Sequence, residues 1–129
     1  MTLAEIEAAA EALFKAERSR RQIGLLSLAH PAAGLDDAYA VQAALLRRKT
    51  AAGAKAIGWK IGLTSRAMQM ALGITTPDSG ILLDDMLFED GATVPAGRFI
   101  QPRIEAEIAF VLKAPLQGPT VTRADILAA

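Results

Sequence analysis

Two glutamates, Glu105 and Glu107, stand two positions apart in a segment where apolar and polar residues alternate. Such alternation over residues 103–113 predicts a β-strand, whose successive side chains point to opposite faces. Both carboxylates would then share one face with their Cα atoms about 6.5–7 Å apart, so they could converge on one hard divalent cation. A half-exposed strand with a solvated face explains the same spacing without a metal, and spacing alone favours that simpler interpretation.

Lys60 is a second candidate for chemistry. Gly58 and Gly62 flank it two positions away on either side, so the lysine would stand on a strand face that is otherwise bare backbone. An ammonium in that setting can act as a general acid or base, or can hold a substrate carboxylate as a point charge. A lysine that protects an edge strand from aggregation fits equally well, and spacing does not decide between them.

The remaining polar candidates are better explained by local structure. Asp78 lies in the sequence Pro-Asp-Ser-Gly, which is typical of a turn, and it is either turn-forming or a functional loop carboxylate. Thr64 and Ser65 precede a predicted short helix and are more often caps than ligands. The single histidine, His30, has no second histidine or cysteine to complete a metal site and is expected to be a surface or packing residue.

Composition excludes several classes of protein. The chain has 129 residues, of which 52% are hydrophobic and 22% charged, so it can form a packed domain. Its 14 basic and 14 acidic residues cancel, which argues against nucleic acid or an anionic membrane as a partner. The absence of cysteine excludes disulfides and thiolate metal sites and favours a reducing compartment, so we expect a cytoplasmic protein.

Periodicity divides the chain into a helical and a β-rich part. A capping-box pair, Thr2 and Glu5, starts a helix that we expect to end near Arg20, and a second helix begins at Asp36 and ends before Gly53. Strands are predicted from Ile57 onward, over residues 81–83, 86–88 and 103–113, with a short helix over residues 66–72. A final helix begins at Thr122 and runs to the C-terminus without a stop signal, which suggests a chain cut inside a larger domain.

Three segments together resemble one known family. They are residues 58–69 (GWKIGLTSRAMQ), 77–86 (PDSGILLDDM) and 98–110 (RFIQPRIEAEIAF). In this order they are similar to the hydratase and decarboxylase branch of the fumarylacetoacetate hydrolase superfamily, and the similarity runs along almost the whole chain. Ala106 and Ser79 depart from the commonest form of the motifs, where a valine and an aromatic residue are more usual, but neither change removes a charged group.

The resemblance implies an α+β fold, in which N-terminal helices over residues 1–55 precede the first part of a mixed β-roll over residues 56–129, the catalytic β-rich domain. It also implies that Glu105 and Glu107 bind Mg²⁺ or Mn²⁺, together with a third acidic ligand that lies beyond Ala129. Lys60 and Asp78 would be catalytic. Leu63, Thr64 and Ser65 would contact the substrate, a small 2-oxo acid. The resemblance further implies a homo-oligomer.

The activity implied by the resemblance is hydration of a 2-hydroxydienoate or 2-oxoenoate. Decarboxylation of a related 2-oxo acid uses the same enolate chemistry, and the residues do not separate the two reactions. A third interpretation is a catalytically incomplete chain, because two carboxylates leave a divalent ion short of protein ligands.

Overall fold

The chain begins with helices and continues into a small antiparallel sheet. The computed structural model describes residues 1–129 and contains α1 (Leu3–Ser19), α2 (Leu26–Ala29), α3 (Leu35–Ala51), β1 (Ala56–Gly62), α4 (Arg66–Leu72), β2 (Asp78–Leu83), a single 3-10 turn (Asp84–Met86) and α5 (Arg123–Ala128). This confirms the α+β class. None of the helices combines the length and the apolar character that a membrane crossing requires.

Helices α1 and α3 pack against each other and form the core. Their contact surface consists of small side chains, with Ala9, Ala10, Val41 and Ala44 buried. Because alanine adds little bulk, the two helix backbones approach closely and partly buried side chains such as Leu13 seal the edges of the contact. The N-terminal half of the chain is therefore held by a helix pair.

The predicted ends of the long helices are confirmed. The Thr2 hydroxyl accepts from the Glu5 amide while the Glu5 carboxylate accepts from the Thr2 amide, so both bonds of the capping box are present. Arg20 terminates α1 in the left-handed conformation. Between α1 and α3, the connecting segment contains one helical turn, α2, which has His30 as its C-cap.

Strands β1 and β2 form a two-stranded antiparallel ladder. Lys60 lies opposite Gly80, and Gly62 lies opposite Asp78, with a register irregularity between Ala56 and Gly58. The predicted first strand is confirmed. The turn predicted over residues 77–80 is wrong, because Asp78 already pairs with β1 and is the first residue of β2. Backbone pairing with β1 outweighs the local turn preference of the Asp-Ser-Gly sequence.

Two predicted strands are absent. Met86 is the last residue of the 3-10 turn, residues 87–88 follow it without pairing, and residues 103–113 are irregular although apolar and polar residues alternate along them. A strand is defined by hydrogen bonds to a neighbour, and no other strand lies along residues 103–113. The apolar side chains of this segment are consequently exposed, Ile104 by 99% and Phe110 by 84%.

Ion pairs between α1 and α3 add a pH-dependent contribution to stability. The Glu7 carboxylate lies 2.8 Å from the Arg47 guanidinium and 2.9 Å from that of Arg48. The hydrogen bond from Arg47, followed by that from Arg48, holds the pKa of Glu7 below its usual value. This stabilisation is present above the pKa of the unfolded chain and is lost as the pH falls through the folded-state pKa.

We therefore expect Glu7→Gln to lower the melting temperature by about 1–4 °C at neutral pH. The difference from wild type should shrink as the pH falls below about 4.3, because protonated Glu7 loses the same ion pairs. Circular dichroism of the helical signal during thermal unfolding measures both effects. Glu89→Gln is the matched control, and an equal destabilisation by the two substitutions would contradict the assignment.

Candidate active site

The sheet positions Lys60 on a face that is almost free of side chains. Residues opposite one another in an antiparallel ladder share a face, so Lys60 and Gly62 of β1 share theirs with Asp78 and Gly80 of β2. Gly80 lies directly opposite Lys60, and Gly58 and Gly62 flank it along its own strand. Asp78 is the diagonal neighbour of Lys60, a relationship that places Cα atoms roughly 7–8 Å apart. The ladder therefore brings these two candidate residues together.

The Lys60 ammonium also contacts both candidate metal ligands. Its Nζ lies 2.6 Å from Glu107 Oε1 and 3.2 Å from Glu105 Oε2. All three side chains are about half exposed. The hydrogen bond to Glu107, followed by that to Glu105, raises the pKa of Lys60 above its ordinary value and so favours the ammonium form. The two glutamates thus converge on one cation, and Lys60 is an ion-paired residue rather than a free edge lysine.

The donor set of this cluster fits a hard divalent cation. The two glutamates converge on a single positive centre, the position that a shared metal ion would take, and carboxylate oxygens are the ligands that Mg²⁺ prefers. No group of three or more acidic, histidine or cysteine side chains is arranged for a metal. Mg²⁺ commonly uses one or two carboxylates and completes its shell with water, so two glutamates are sufficient for weak binding.

A metal and the Lys60 ammonium would compete for the same carboxylates. We expect Lys60→Met to tighten Mg²⁺ binding by about three- to tenfold at low ionic strength, because it removes the positive charge beside both ligands. Isothermal titration calorimetry measures this affinity. Lys55→Met is the control, since it removes an equal charge that pairs with no carboxylate. Equal affinities for wild type and Lys60→Met would show that the two cations do not share the site.

Asp78 is held close to the backbone of β1. A Cβ atom added at Gly62 would collide with Asp78 Oδ1, so the carboxylate occupies the space that glycine leaves. At Gly58, by contrast, the nearest atom to an added Cβ would be Leu82 Cδ1 at 3.9 Å, an ordinary contact. Glycine at 62 therefore makes room for Asp78 in its present position.

Two side chains of α3 anchor the neighbour of Asp78. The Ser79 amide donates to the Tyr39 hydroxyl at 3.1 Å, and the Gln42 side-chain amide donates to the Ser79 carbonyl at 3.0 Å. Both backbone groups of Ser79 are satisfied in this way on the edge of β2 that faces away from β1. Sequence reasoning missed Tyr39 and Gln42. Their three-residue spacing, which puts them on one helix face, was the only signal available.

The segment after β1 contains the three predicted substrate-binding residues. Leu63 has φ 55°, in the left-handed region that costs an L-residue roughly 1–2 kcal/mol. Thr64 is exposed, and the Ser65 hydroxyl accepts from the Met68 amide at 3.3 Å as the N-cap of α4. The capping role predicted for Ser65 is confirmed.

His30 and two aspartates that follow β2 contact other parts of the chain. Asp84 accepts the Lys55 amide at 2.9 Å, which ties the end of β2 to the start of β1. Asp85 pairs with Arg98 at 3.2 Å. His30 Nδ1 lies 3.8 Å from Glu5 Oε1 at the surface of the helix pair. These residues are remote from the cluster of Lys60 and the two glutamates.

Comparison with known proteins relates this geometry to a class of enzymes. No family model matches the chain. Curated relatives do: it is 52% identical over 117 residues to 2-oxo-hept-4-ene-1,7-dioate hydratase of Escherichia coli, covering 91% of this chain and 44% of that protein. It is 48% identical over 126 residues to 2-hydroxyhexa-2,4-dienoate hydratase of Comamonas testosteroni, covering 96% and 48%. The similarity to the hydratase and decarboxylase branch is thereby confirmed.

A solved structure gives the same relationship. The 4-oxalocrotonate decarboxylase of Pseudomonas putida G7 superposes with a TM-score of 0.63 at 39% identity, over 66% of this chain and 33% of that one. It is described in complex with calcium and acetate, and also with magnesium and adipate. The chain spans about half the length of the curated relatives it matches.

Proposed function

We propose that the protein is a cytoplasmic, divalent-metal-dependent hydro-lyase of aromatic-compound catabolism. It adds water to a 2-hydroxydienoate or 2-oxoenoate, with 2-oxohept-4-ene-1,7-dioate as the first candidate, and yields a 4-hydroxy-2-oxo acid. The observation that carries the proposal is the convergence of Glu105 and Glu107 on Lys60 Nζ. The hydratase relatives support the reaction class, and the metal complexes of the solved relative support the cofactor.

The proposed site includes residues outside strands β1 and β2. We propose that residues 1–55 form a helical segment and that residues 56–129 contribute to a mixed β-roll, assembled as a homo-oligomer. In this arrangement Glu105 and Glu107 hold Mg²⁺ or Mn²⁺. When bound, such a cation supplies Lewis acidity toward the carboxylate and 2-oxo oxygens of an oxo acid.

The charges of the site assign roles to Lys60 and Asp78. Lys60 is an ammonium at neutral pH, a form that the flanking carboxylates stabilise further by raising its pKa, and it serves as an electrostatic partner of the oxo acid or as a proton donor. Ketonisation of the dienol to the conjugated 2-oxo-3-ene makes the carbon beta to the ketone electrophilic, and Asp78, on the same face as Lys60, orients the water that attacks it. The carbon alpha to the ketone then takes up a proton. Leu63, Thr64 and Ser65 contact the carboxylate end of the substrate.

The first test is Mg²⁺-dependent loss of dienoate absorbance with 2-hydroxyhepta-2,4-dienedioate. We expect Glu105→Ala and Glu107→Ala each to lower kcat/KM by at least about 100-fold, because each removes half of the carboxylate pair. Glu89→Ala should leave turnover unchanged. Normal turnover by either cluster variant would refute the metal assignment, and no turnover by a folded, monodisperse wild-type chain would mean that the chain is catalytically incomplete.

Decarboxylation is the second candidate, since the solved relative is a 4-oxalocrotonate decarboxylase and this chain is also 41% identical to the decarboxylase of Pseudomonas sp. (strain CF600). Hydration consumes the dienoate without releasing carbon dioxide. A coupled carbon dioxide assay on the same reaction therefore separates the two activities.

The role of Asp78 can be tested without replacing this residue. Gly62→Ala should move the Asp78 carboxylate, because the new methyl group would occupy its space, and we expect kcat/KM to fall about tenfold or more. The displaced atom is the end of a flexible side chain, so the melting temperature should change little. Gly58→Ala provides the matched control and should retain activity. Full activity of Gly62→Ala would contradict the role of Asp78.

A further inference from the structure

Leu63 is held in a backbone conformation that its side chain disfavours. Only two non-glycine residues have positive φ, Arg20 and Leu63. Arg20 is the C-cap of α1, where a left-handed residue is ordinary. Leu63 instead lies between β1 and α4, where no helix end requires that conformation. A specific interaction must therefore favour it over the extended alternatives.

That interaction is supplied by Gln69. Its side-chain Nε2 donates to the Leu63 carbonyl oxygen at 2.6 Å, in a part-buried position. The backbone of Gln69 is itself fixed, because its amide donates to the Ser65 carbonyl at 3.0 Å and its carbonyl accepts from Ile74 at 3.0 Å. Helix α4 therefore holds the Gln69 side-chain amide against the carbonyl of Leu63, the residue with the strained backbone.

We propose that Gln69 is a positioning residue that keeps Leu63 left-handed and so fixes Leu63, Thr64 and Ser65 in the geometry that receives the oxo acid. The inference rests on the proposed function, in which residues 63–65 contact the substrate. A segment ordered in advance binds more tightly, since less conformational entropy is lost when the substrate arrives. Loss of the Gln69 bond should therefore weaken substrate binding more than it affects the chemical step.

Gln69→Met removes the donor and keeps the length of the side chain. We expect KM for the dienoate to rise about tenfold, with kcat within about threefold of wild type and unchanged activation by Mg²⁺. Met70→Ala is the control on the same helix, since Met70 is 84% exposed. If wild type turns over and Gln69→Met has the same KM as wild type, the inference is wrong.

Gln69→Glu distinguishes a hydrogen-bond donor from simple packing. A carboxylate cannot donate to the Leu63 carbonyl, whereas a protonated carboxyl can. The ratio of the variant KM to the wild-type KM should fall as the pH is lowered from about 6 to about 4, across the ordinary pKa of a glutamate carboxyl, for Gln69→Glu and stay constant for Gln69→Met. A ratio independent of pH for both variants would indicate a merely structural role.

A measurement of backbone conformation separates this inference from the proposed function. NMR chemical shifts of Leu63 should report the left-handed conformation in wild type and its loss in Gln69→Met, whether or not the chain turns over. If Leu63 stays left-handed in Gln69→Met, the inference is wrong even in an active enzyme. If Leu63 is released but wild type shows no turnover, the chain by itself does not carry out the proposed function, and the positioning contact stands.

Discussion

The antiparallel pairing of β1 with β2 determines where the candidate residues lie. Its register puts Lys60 opposite Gly80 and Asp78 opposite Gly62, so the ammonium and the carboxylate share one face. A slip of one residue would move either side chain to the opposite face. Ser79 of β2 is hydrogen-bonded to Tyr39 and Gln42 of α3. These two bonds attach the sheet to the helix pair.

Charge compensation links the sheet to a segment that forms no strand. Glu105 and Glu107 lie on irregular backbone, yet both carboxylates reach the same ammonium. Without a cation between them the two negative charges would repel each other. The Lys60 ammonium is that cation in this structure. The ammonium therefore occupies the position between the two carboxylates and neutralises part of their charge.

Local patterns predicted the helices well and the pairings poorly. The ends of α1, α3 and α4 follow from caps and periodicity, which are properties of neighbouring residues. The strand predicted at 103–113 failed because alternation describes one strand, whereas a strand also needs a partner. Asp78 looked like a turn residue because its partner, Gly62, is distant in sequence. The structure shows Lys60 in contact with Glu105 and Glu107, and no local rule could have given that contact.

Apolar side chains are exposed both on β1 and on the segment that carries Glu105 and Glu107. Trp59 is 64% exposed on the face of β1 opposite Lys60, and Ile104 and Ile108 are 99% and 83% exposed on the segment that carries the glutamates. In a paired strand, alternation would place these side chains on the opposite side from the charged ones, as in a sheet whose second face is covered. A strand paired along residues 103–113 would order their backbone and cover the apolar side together. The same pairing would fix the separation of Glu105 and Glu107, so a strand that covered the apolar side would also hold the two carboxylates in place.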